Sequence, residues 1–186
     1  MGGLIEVNNI FAAVFEKSSL DGLLGVLDRK SVKFWGTGGT MDYVGEKGFL
    51  AQSVIRGFDF DGRVKSLDRA NFVRILADSS KKNHLDELKK EGLEPIDLVV
   101  VDLYAPDSAT FPESMDIGGQ SLIRAAIKNF GSVALAFDGE SIEKLVLELN
   151  KNVGKTSLEF RKTQAKAAAK FIASRTKLEA EMFEKI

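Results

Sequence analysis

The sequence has no cysteine and a single histidine, His84, and these shortages exclude several kinds of chemistry. Without cysteine there is no disulfide and no thiolate to act as nucleophile or ligand. One histidine argues against a histidine-built metal centre, so no metal site is expected. The absence of cysteine also fits a cytoplasmic protein, which is the location we expect.

An excess of charge of one sign and a long apolar run are missing as well. The 26 lysines and arginines against 27 aspartates and glutamates leave a formal net charge of -1, so the chain has no overall attraction to nucleic acid or to an anionic membrane. No stretch approaches the roughly 20 apolar residues of a membrane span, and the apolar start carries no basic leader. We expect neither nucleic acid nor a membrane as a partner.

The length and the hydrophobic content of the chain are sufficient for one hydrophobic core. A chain of 186 residues that is 44% hydrophobic predicts a single domain over residues 1–186. Apolar runs alternate with helical patterns, which predicts an α/β fold around a parallel sheet. Strands are predicted at residues 10–15, 32–35, 51–55, 96–103 and 132–137, and helices at 20–27, 41–46, 81–91, 140–149 and 157–185. An exposed loop is expected at 57–67, and 72–76 fits either a buried helix turn or a strand.

Residues 36–40 read G-T-G-G-T between a predicted strand and a predicted helix. Unpaired N–H groups and the positive end of a helix dipole can bind a phosphate at such a place. The segment lacks the Walker and dinucleotide patterns, and glycine-rich turns also arise for conformational reasons. A phosphate cradle and a plain turn both remain open.

Two further blocks place polar groups beside predicted strands and loops. D-G-R-V-K-S-L at residues 61–67 spaces two cations so that both can face one anionic ligand, although exposed pairs of this kind are commonly solvated. D-L-Y at 102–104 ends a buried strand, where ligand crevices form in open α/β sheets. The tyrosine can instead cap the core with its ring.

The block D-I-G-G-Q-S-L-I-R-A-A-I-K-N at residues 116–129 is a glycine turn into an amphipathic helix. Asp116 can cap that helix or serve a site. Arg124 and Lys128 lie four residues apart and share a face, which is commonly an exposed basic stripe, although the apolar residues beside them leave little room for a wholly solvated helix. The nine residues from Gly119 to Lys128 rise about 13 Å in a regular helix, so Lys128 meets Asp116 only by reaching back.

Together these blocks resemble the IMP cyclohydrolase domain of the bifunctional purine-biosynthesis enzyme, from about residue 10 to the C-terminus. The resemblance implies a methylglyoxal-synthase-like, three-layer α/β domain with a mostly parallel sheet flanked by helices and a C-terminal helical extension. It implies a hydrolase that closes formamidoimidazole carboxamide ribonucleotide (FAICAR) to inosine monophosphate (IMP) with loss of water, in de novo purine biosynthesis and without a cofactor. The second domain of the bifunctional enzyme, the AICAR transformylase, has no counterpart in these 186 residues.

The resemblance also assigns site residues. The catalytic residues that it implies are Lys65, Tyr104, Asp116 and Lys128. The substrate and phosphate ligands that it implies are Lys17, Gly36, Thr37, Gly38, Gly39, Thr40, Arg63, Ser66, Gly118 and Gly119.

Departures from the family pattern keep a second reading open. Phe15 and Gly36 stand where the family has serines, Asp68 and Phe130 where it has histidines, and Asp102 where it has asparagine. The alternative is a catalytically diverged regulatory module that binds a nucleotide or a phosphate. The candidate protein partners are a second copy of the chain and a separate AICAR formyltransferase.

Overall fold

The computed structural model describes residues 3–55, 63, 64 and 66–185. The strands are β1 (Ile5–Glu6), β2 (Asn9–Ala13), β3 (Lys33–Gly36), β4 (Leu50–Ser53), β5 (Leu98–Val101), β6 (Ala134–Ala136) and β7 (Lys155–Thr156). The helices are α1 (Asp21–Val26), α2 (Gly38–Glu46), α3 (Arg69–Leu76), α4 (Lys82–Lys90), α5 (Ile117–Lys128), α6 (Gly139–Lys151) and α7 (Leu158–Phe183). A short 3-10 turn, Lys17–Leu20, precedes α1.

Five strands form a parallel sheet in the order β4-β3-β2-β5-β6. The central β2 pairs Ile10 with Phe34 on one side and with Leu98 on the other. All four residues of β5 are buried, as expected for a strand that is covered on both faces of a parallel sheet. The carboxyl ends of β2, β3 and β5 therefore meet at one edge of the sheet.

Helices cover both faces and create two apolar cores. Apolar side chains of α1, α2 and α6 pack on one face with Ile10 and Phe34. Those of α3, α5 and α7 pack on the other with Phe11 and Val99. Because successive strand residues point to opposite faces, neighbours such as Ile10 and Phe11 contribute to different cores. The predicted three-layer α/β architecture is confirmed.

The differences from the sequence expectations concern short and ambiguous segments. Residues 72–76 are helical, since Asp68 caps α3 by accepting a hydrogen bond of 2.8 Å from the Ala70 amide. The C-terminal segment forms one helix of 26 residues, α7. The antiparallel pair of β1 and β7 has two residues in each strand, too short for a periodic signal. Most of the expected 57–67 loop lies outside the described residues.

A buried arginine ties the C-terminal helix to the rest of the fold. Arg161, in the first turn of α7, is 2% exposed. Its guanidinium donates to the Thr156 carbonyl at 2.6 Å, to the Phe130 carbonyl at 3.0 Å and to the Gly131 carbonyl at 3.2 Å. The Thr156 carbonyl belongs to β7, and the Phe130 and Gly131 carbonyls belong to the turn between α5 and β6. One side chain therefore joins β7 to that turn.

Within the described part of the chain, no helix is both long and apolar enough to cross a membrane.

Candidate active site at the carboxyl ends of the parallel strands

A cavity of about 980 Å³ opens at the carboxyl ends of β2, β3 and β5, the position at which open α/β sheets form ligand crevices. Loops after these strands and the first residues of α5 form its walls. The predicted site residues that line it are Lys17, Thr37, Arg63, Ser66, Tyr104, Asp116, Gly118 and Gly119. The fold thus brings together residues that are about 100 positions apart in the sequence.

One end of the cavity is a cationic helix entry. Thr37 has an extended backbone and precedes α2, whose first residues are Gly38 and Gly39. The leading N–H groups of a helix have no partner within the helix; in α2 these are the Gly38 and Gly39 amides, whereas the Thr40 amide donates to the Thr37 carbonyl at 3.1 Å. The Lys17 side chain lies over this entry, with its Cε 3.7 Å from the position that a Cβ on Gly39 would occupy, and its ammonium donates to the Phe15 carbonyl at 2.7 Å. This end suits a phosphate group.

Gly36 and Thr40, also predicted as phosphate ligands, lie behind the helix entry. A Cβ on Gly36 would collide with the Ala12 carbonyl of the neighbouring strand. The Thr40 side chain is buried, and its hydroxyl accepts from the Val14 amide at 3.2 Å and donates to the Val14 carbonyl at 3.3 Å. Both residues hold β2, β3 and α2 in position, and the Thr40 hydroxyl is occupied by backbone groups.

The other end of the cavity carries a carboxylate at the entry of α5. Asp116 is the N-cap and accepts a hydrogen bond of 2.6 Å from the Gly119 amide. A Cβ on Gly119 would lie 2.7 Å from the Asp116 carboxylate, and one on Gly118 would collide with the Ser66 hydroxyl. Only glycine at these two positions lets the carboxylate and the Ser66 loop approach the helix so closely.

The surroundings of Asp116 raise the pKa of its carboxyl above that of an ordinary aspartate. Burial raises the pKa of the Asp116 carboxyl most, and the neighbouring Asp102 and Glu179 carboxylates raise it further, while the Gly119 amide and Arg175 lower it. A carboxyl group with a raised pKa can exchange protons closer to neutral pH than an ordinary aspartate. This is the property expected of a general base.

Arg175 and Glu179 belong to α7 and were missed by the sequence reasoning. Glu179 is 7% exposed and accepts a hydrogen bond of 2.6 Å from the Gln120 side chain, one turn into α5. Helix α7 thereby contacts the helix whose N-cap is Asp116. The sequence carries no local signal for this arrangement, because it depends on the packing of two helices that are distant in the chain.

Tyr104 and Phe15 form an aromatic wall of the cavity. Their ring centroids are 6.1 Å apart with an interplanar angle of 51°, within the range of favourable aromatic pairs. Burial raises the pKa of the Tyr104 hydroxyl, and the Asp116 charge adds to that shift. The Tyr104 hydroxyl therefore stays protonated at neutral pH and can donate a hydrogen bond.

Asp102 holds the loop that carries Phe15. One carboxylate oxygen accepts from the Phe15 amide and the other accepts from the Glu16 amide at 3.1 Å. Asp102 carries a negative charge where the family pattern has a neutral asparagine, and two backbone N–H groups donate hydrogen bonds to that charged carboxylate.

The predicted site cations other than Lys17 are Arg63, Lys65 and Lys128. Lys65 lies outside the described residues. Arg63 lines the cavity but forms an ion pair with Glu113, and both side chains are largely exposed. Lys128 is exposed at the last residue of α5, about 16 Å of helix rise from the N-terminal end that borders the cavity. The described structure therefore does not bring Lys128 to the cavity.

Among the residues that the structure describes, no group of three or more histidine, cysteine, aspartate and glutamate side chains is arranged to hold a metal ion.

No protein-family model matches the chain. It is 37% identical over 171 residues to the bifunctional purine biosynthesis protein PurH of Clostridium kluyveri, in a match that covers 86% of this chain and 34% of that protein. The PurH proteins of Mesorhizobium japonicum and Rhodopirellula baltica are 35% and 36% identical, each over 91% of this chain. The chain spans about a third of the length of these relatives.

A solved structure matches nearly the whole chain. The crystal structure of ForH superposes with a TM-score of 0.80 at 26% sequence identity and covers 96% of this chain and 97% of that one. The two proteins therefore share the fold from end to end. Together with the parallel sheet and its two helical layers, this likeness identifies a methylglyoxal-synthase-like α/β domain.

Proposed function

The chain is a PurH-related domain, homologous to about a third of the bifunctional purine biosynthesis protein PurH, and on that premise we propose that it is an IMP cyclohydrolase. In this reaction the carboxamide nitrogen of FAICAR bonds to the formyl carbon, the formyl oxygen leaves as water, and the second ring of IMP is closed. The substrate already holds both reacting groups, so the protein has to orient them and move protons. FAICAR and IMP are accordingly the proposed ligands.

One observation carries the proposal: the cavity joins a cationic helix entry to a carboxylate with a raised pKa. A nucleotide phosphate suits the Lys17 end, since an ammonium and helix N–H groups both stabilise negative charge. The heterocycle then extends toward Asp116, whose carboxylate accepts the proton of the attacking carboxamide nitrogen. The helix entry and the carboxylate thus match the two ends of one substrate.

The other catalytic residues enter by resemblance. Tyr104 lines the same cavity and has a protonated hydroxyl, so it can donate to an oxygen of the substrate as water leaves. Lys65 would stabilise charge on the formyl oxygen. Neither a metal nor a cofactor is needed for a ring closure that only relocates protons and expels water.

Asp116→Asn tests this assignment. Asparagine still caps a helix, but its amide cannot accept a proton, so turnover of FAICAR should fall by about 10² to 10⁴. Asp138→Asn is the matched control, because Asp138 caps α6 by accepting from the Ser141 amide at 2.7 Å and does not line the cavity. Equal turnover in the two variants would remove Asp116 from the catalytic set.

Lys128 keeps a catalytic assignment from the family and requires its own test. Lys128→Ala should abolish turnover and leave nucleotide binding largely intact. Arg124→Ala is the control, because Arg124 is also exposed and lies four residues earlier on the same face of α5. Since Lys128 lies far from the cavity of its own chain, loss of turnover in this variant alone would point to a second copy that brings the ammonium to the site. Full turnover would show that the lysine is not catalytic.

The alternative function is a regulatory module that binds a nucleotide without converting it. Arg63 is a predicted substrate ligand, but its guanidinium forms an ion pair with Glu113. This alternative is favoured because a cation engaged in that pair does not contact the substrate. It requires that IMP binds while FAICAR is not converted. A separate AICAR formyltransferase is the proposed protein partner of the cyclohydrolase and is not required by the regulatory module.

A further inference from the structure

Phe15 is a large apolar side chain exposed at the cavity. Its side chain is 70% exposed although it lines the same cavity as Asp116 and Lys17. The family pattern has a serine at this position, so the aromatic ring is a feature of this chain that the family pattern lacks. An exposed aromatic ring beside polar ligand groups commonly marks a contact with a planar ligand.

The Phe15 backbone is fixed although its ring is exposed. Asp102 accepts from the amides of Phe15 and Glu16, and the Lys17 ammonium donates to the Phe15 carbonyl at 2.7 Å. The same ammonium lies 5.8 Å from the centroid of the Phe15 ring. Three polar contacts thus hold the loop, and Asp102, the residue that supplies two of them, also departs from the family pattern.

The ring is close to groups from both parts of the site. The Lys17 ammonium, 5.8 Å from the ring centroid, belongs to the side chain that lies over the entry of α2, and the Tyr104 ring, 6.1 Å away, carries a hydroxyl that interacts with the charge of Asp116. A nucleotide with its phosphate at Lys17 and its reacting group near Asp116 has its heterocycle beside this aromatic wall. Because the two rings contact each other at 51°, the ligand lies against the wall and not between the rings.

We propose that Phe15 stacks on the heterocycle of the bound nucleotide and makes the site select nucleotides over simple sugar phosphates. This proposal rests on the proposed function, since it assumes that the cavity binds a purine nucleotide. Stacking restrains the rotation of the heterocycle, so it also helps to keep the carboxamide and formyl groups in a reactive orientation. Phe15 would thereby replace, by aromatic contact, the hydroxyl that the family serine offers.

The test is calorimetric titration of the folded chain with two probes, IMP and ribose 5-phosphate, which lacks the heterocycle. The variants are Phe15→Ala, Phe15→Leu and Phe15→Tyr. Stacking of a base on an aromatic side chain is worth about 1–3 kcal/mol, which corresponds to roughly 5- to 150-fold in affinity. We expect Phe15→Ala and Phe15→Leu to lose IMP affinity by about that factor, Phe15→Tyr to retain it, and all four proteins to bind ribose 5-phosphate equally.

Two results would overturn the stacking role while leaving the nucleotide site intact. If Phe15→Leu binds IMP as tightly as the unmodified chain, the contact is apolar and not aromatic. If Phe15→Ala weakens ribose 5-phosphate as much as IMP, the side chain only shapes the phosphate loop. Failure of the unmodified chain to bind either probe would instead refute the nucleotide site itself, and the stacking role with it.

Discussion

At the residue scale, the protonation of Asp116 should control the pH dependence of turnover. The ionised carboxylate is the form that accepts a proton, and burial raises its pKa above the ordinary value. Turnover should therefore fall as the pH is lowered through that raised pKa, at a higher pH than the roughly 3.9 of an unperturbed aspartate. A profile of kcat against pH measures this acid limb, and the Asp116→Asn variant should lack it. An unchanged acid limb in that variant would assign the ionisation to another group.

A second residue-scale prediction concerns the phosphate end. Lys17→Gln removes the ammonium beside the α2 entry but keeps a polar side chain, so ribose 5-phosphate should bind about tenfold more weakly because a charge-assisted contact is lost. Lys30→Gln is the control, since Lys30 is exposed, carries the same charge and does not line the cavity. Titration at two salt concentrations checks the cause, because the Lys17 effect should shrink at high salt. Equal weakening in both variants would mean that only net charge matters.

Residues in or next to short motifs could be predicted to lie at the cavity. Lys17, Tyr104 and Asp116 line it, and each stands in a block of a few neighbouring residues that the sequence shows. The hydrogen bond from the Val14 backbone to Thr40 and the contact of Glu179 with Gln120 could not be predicted in this way. Such contacts join separate elements, so they depend on how the chain packs and leave no local pattern.

At the scale of the elements, Arg161 should be a main determinant of how α7 is attached. Arg161→Ala leaves the buried Thr156 carbonyl and the partly buried Phe130 and Gly131 hydrogen-bond sites without this donor, and an unsatisfied buried group costs about 1–3 kcal/mol. We expect a loss of about 2–3 kcal/mol in the free energy of unfolding. Urea unfolding of this variant should be compared with that of Lys162→Ala, whose side chain is exposed in the same helical turn. Similar stabilities would show that the Arg161 hydrogen bonds contribute little.

The major elements could be predicted because their signals are local. Buried runs such as β5 and amphipathic patterns such as α5 repeat over enough residues to define a strand or a helix. The segment at 72–76 was ambiguous because four apolar residues fit either element, and the Asp68 cap decided for the helix. Strands β1 and β7 pair although they are about 150 residues apart in the chain. A local sequence pattern does not predict a pairing over such a distance.

At the scale of the whole molecule, the chain should unfold in one step. Its single tryptophan, Trp35, lies in β3, and the Arg74 guanidinium stacks 3.9 Å from its ring centroid. Helix α7 packs against both α5 and β6, so the C-terminal helix should not melt independently of the sheet. Unfolding curves followed by far-ultraviolet circular dichroism and by Trp35 fluorescence should then coincide. Two separate transitions would contradict the expected single domain.

The most direct test of the central claim is turnover of FAICAR by the unmodified 186-residue chain, followed as formation of IMP, with IMP binding measured on the same preparation. The cavity, with its helix entry and its buried carboxylate, predicts that IMP forms faster than in a control without protein and that it also binds as product. Binding of IMP with no formation above the control would contradict a cyclohydrolase and leave the regulatory module. Absence of both would contradict the assignment of the cavity to a purine nucleotide.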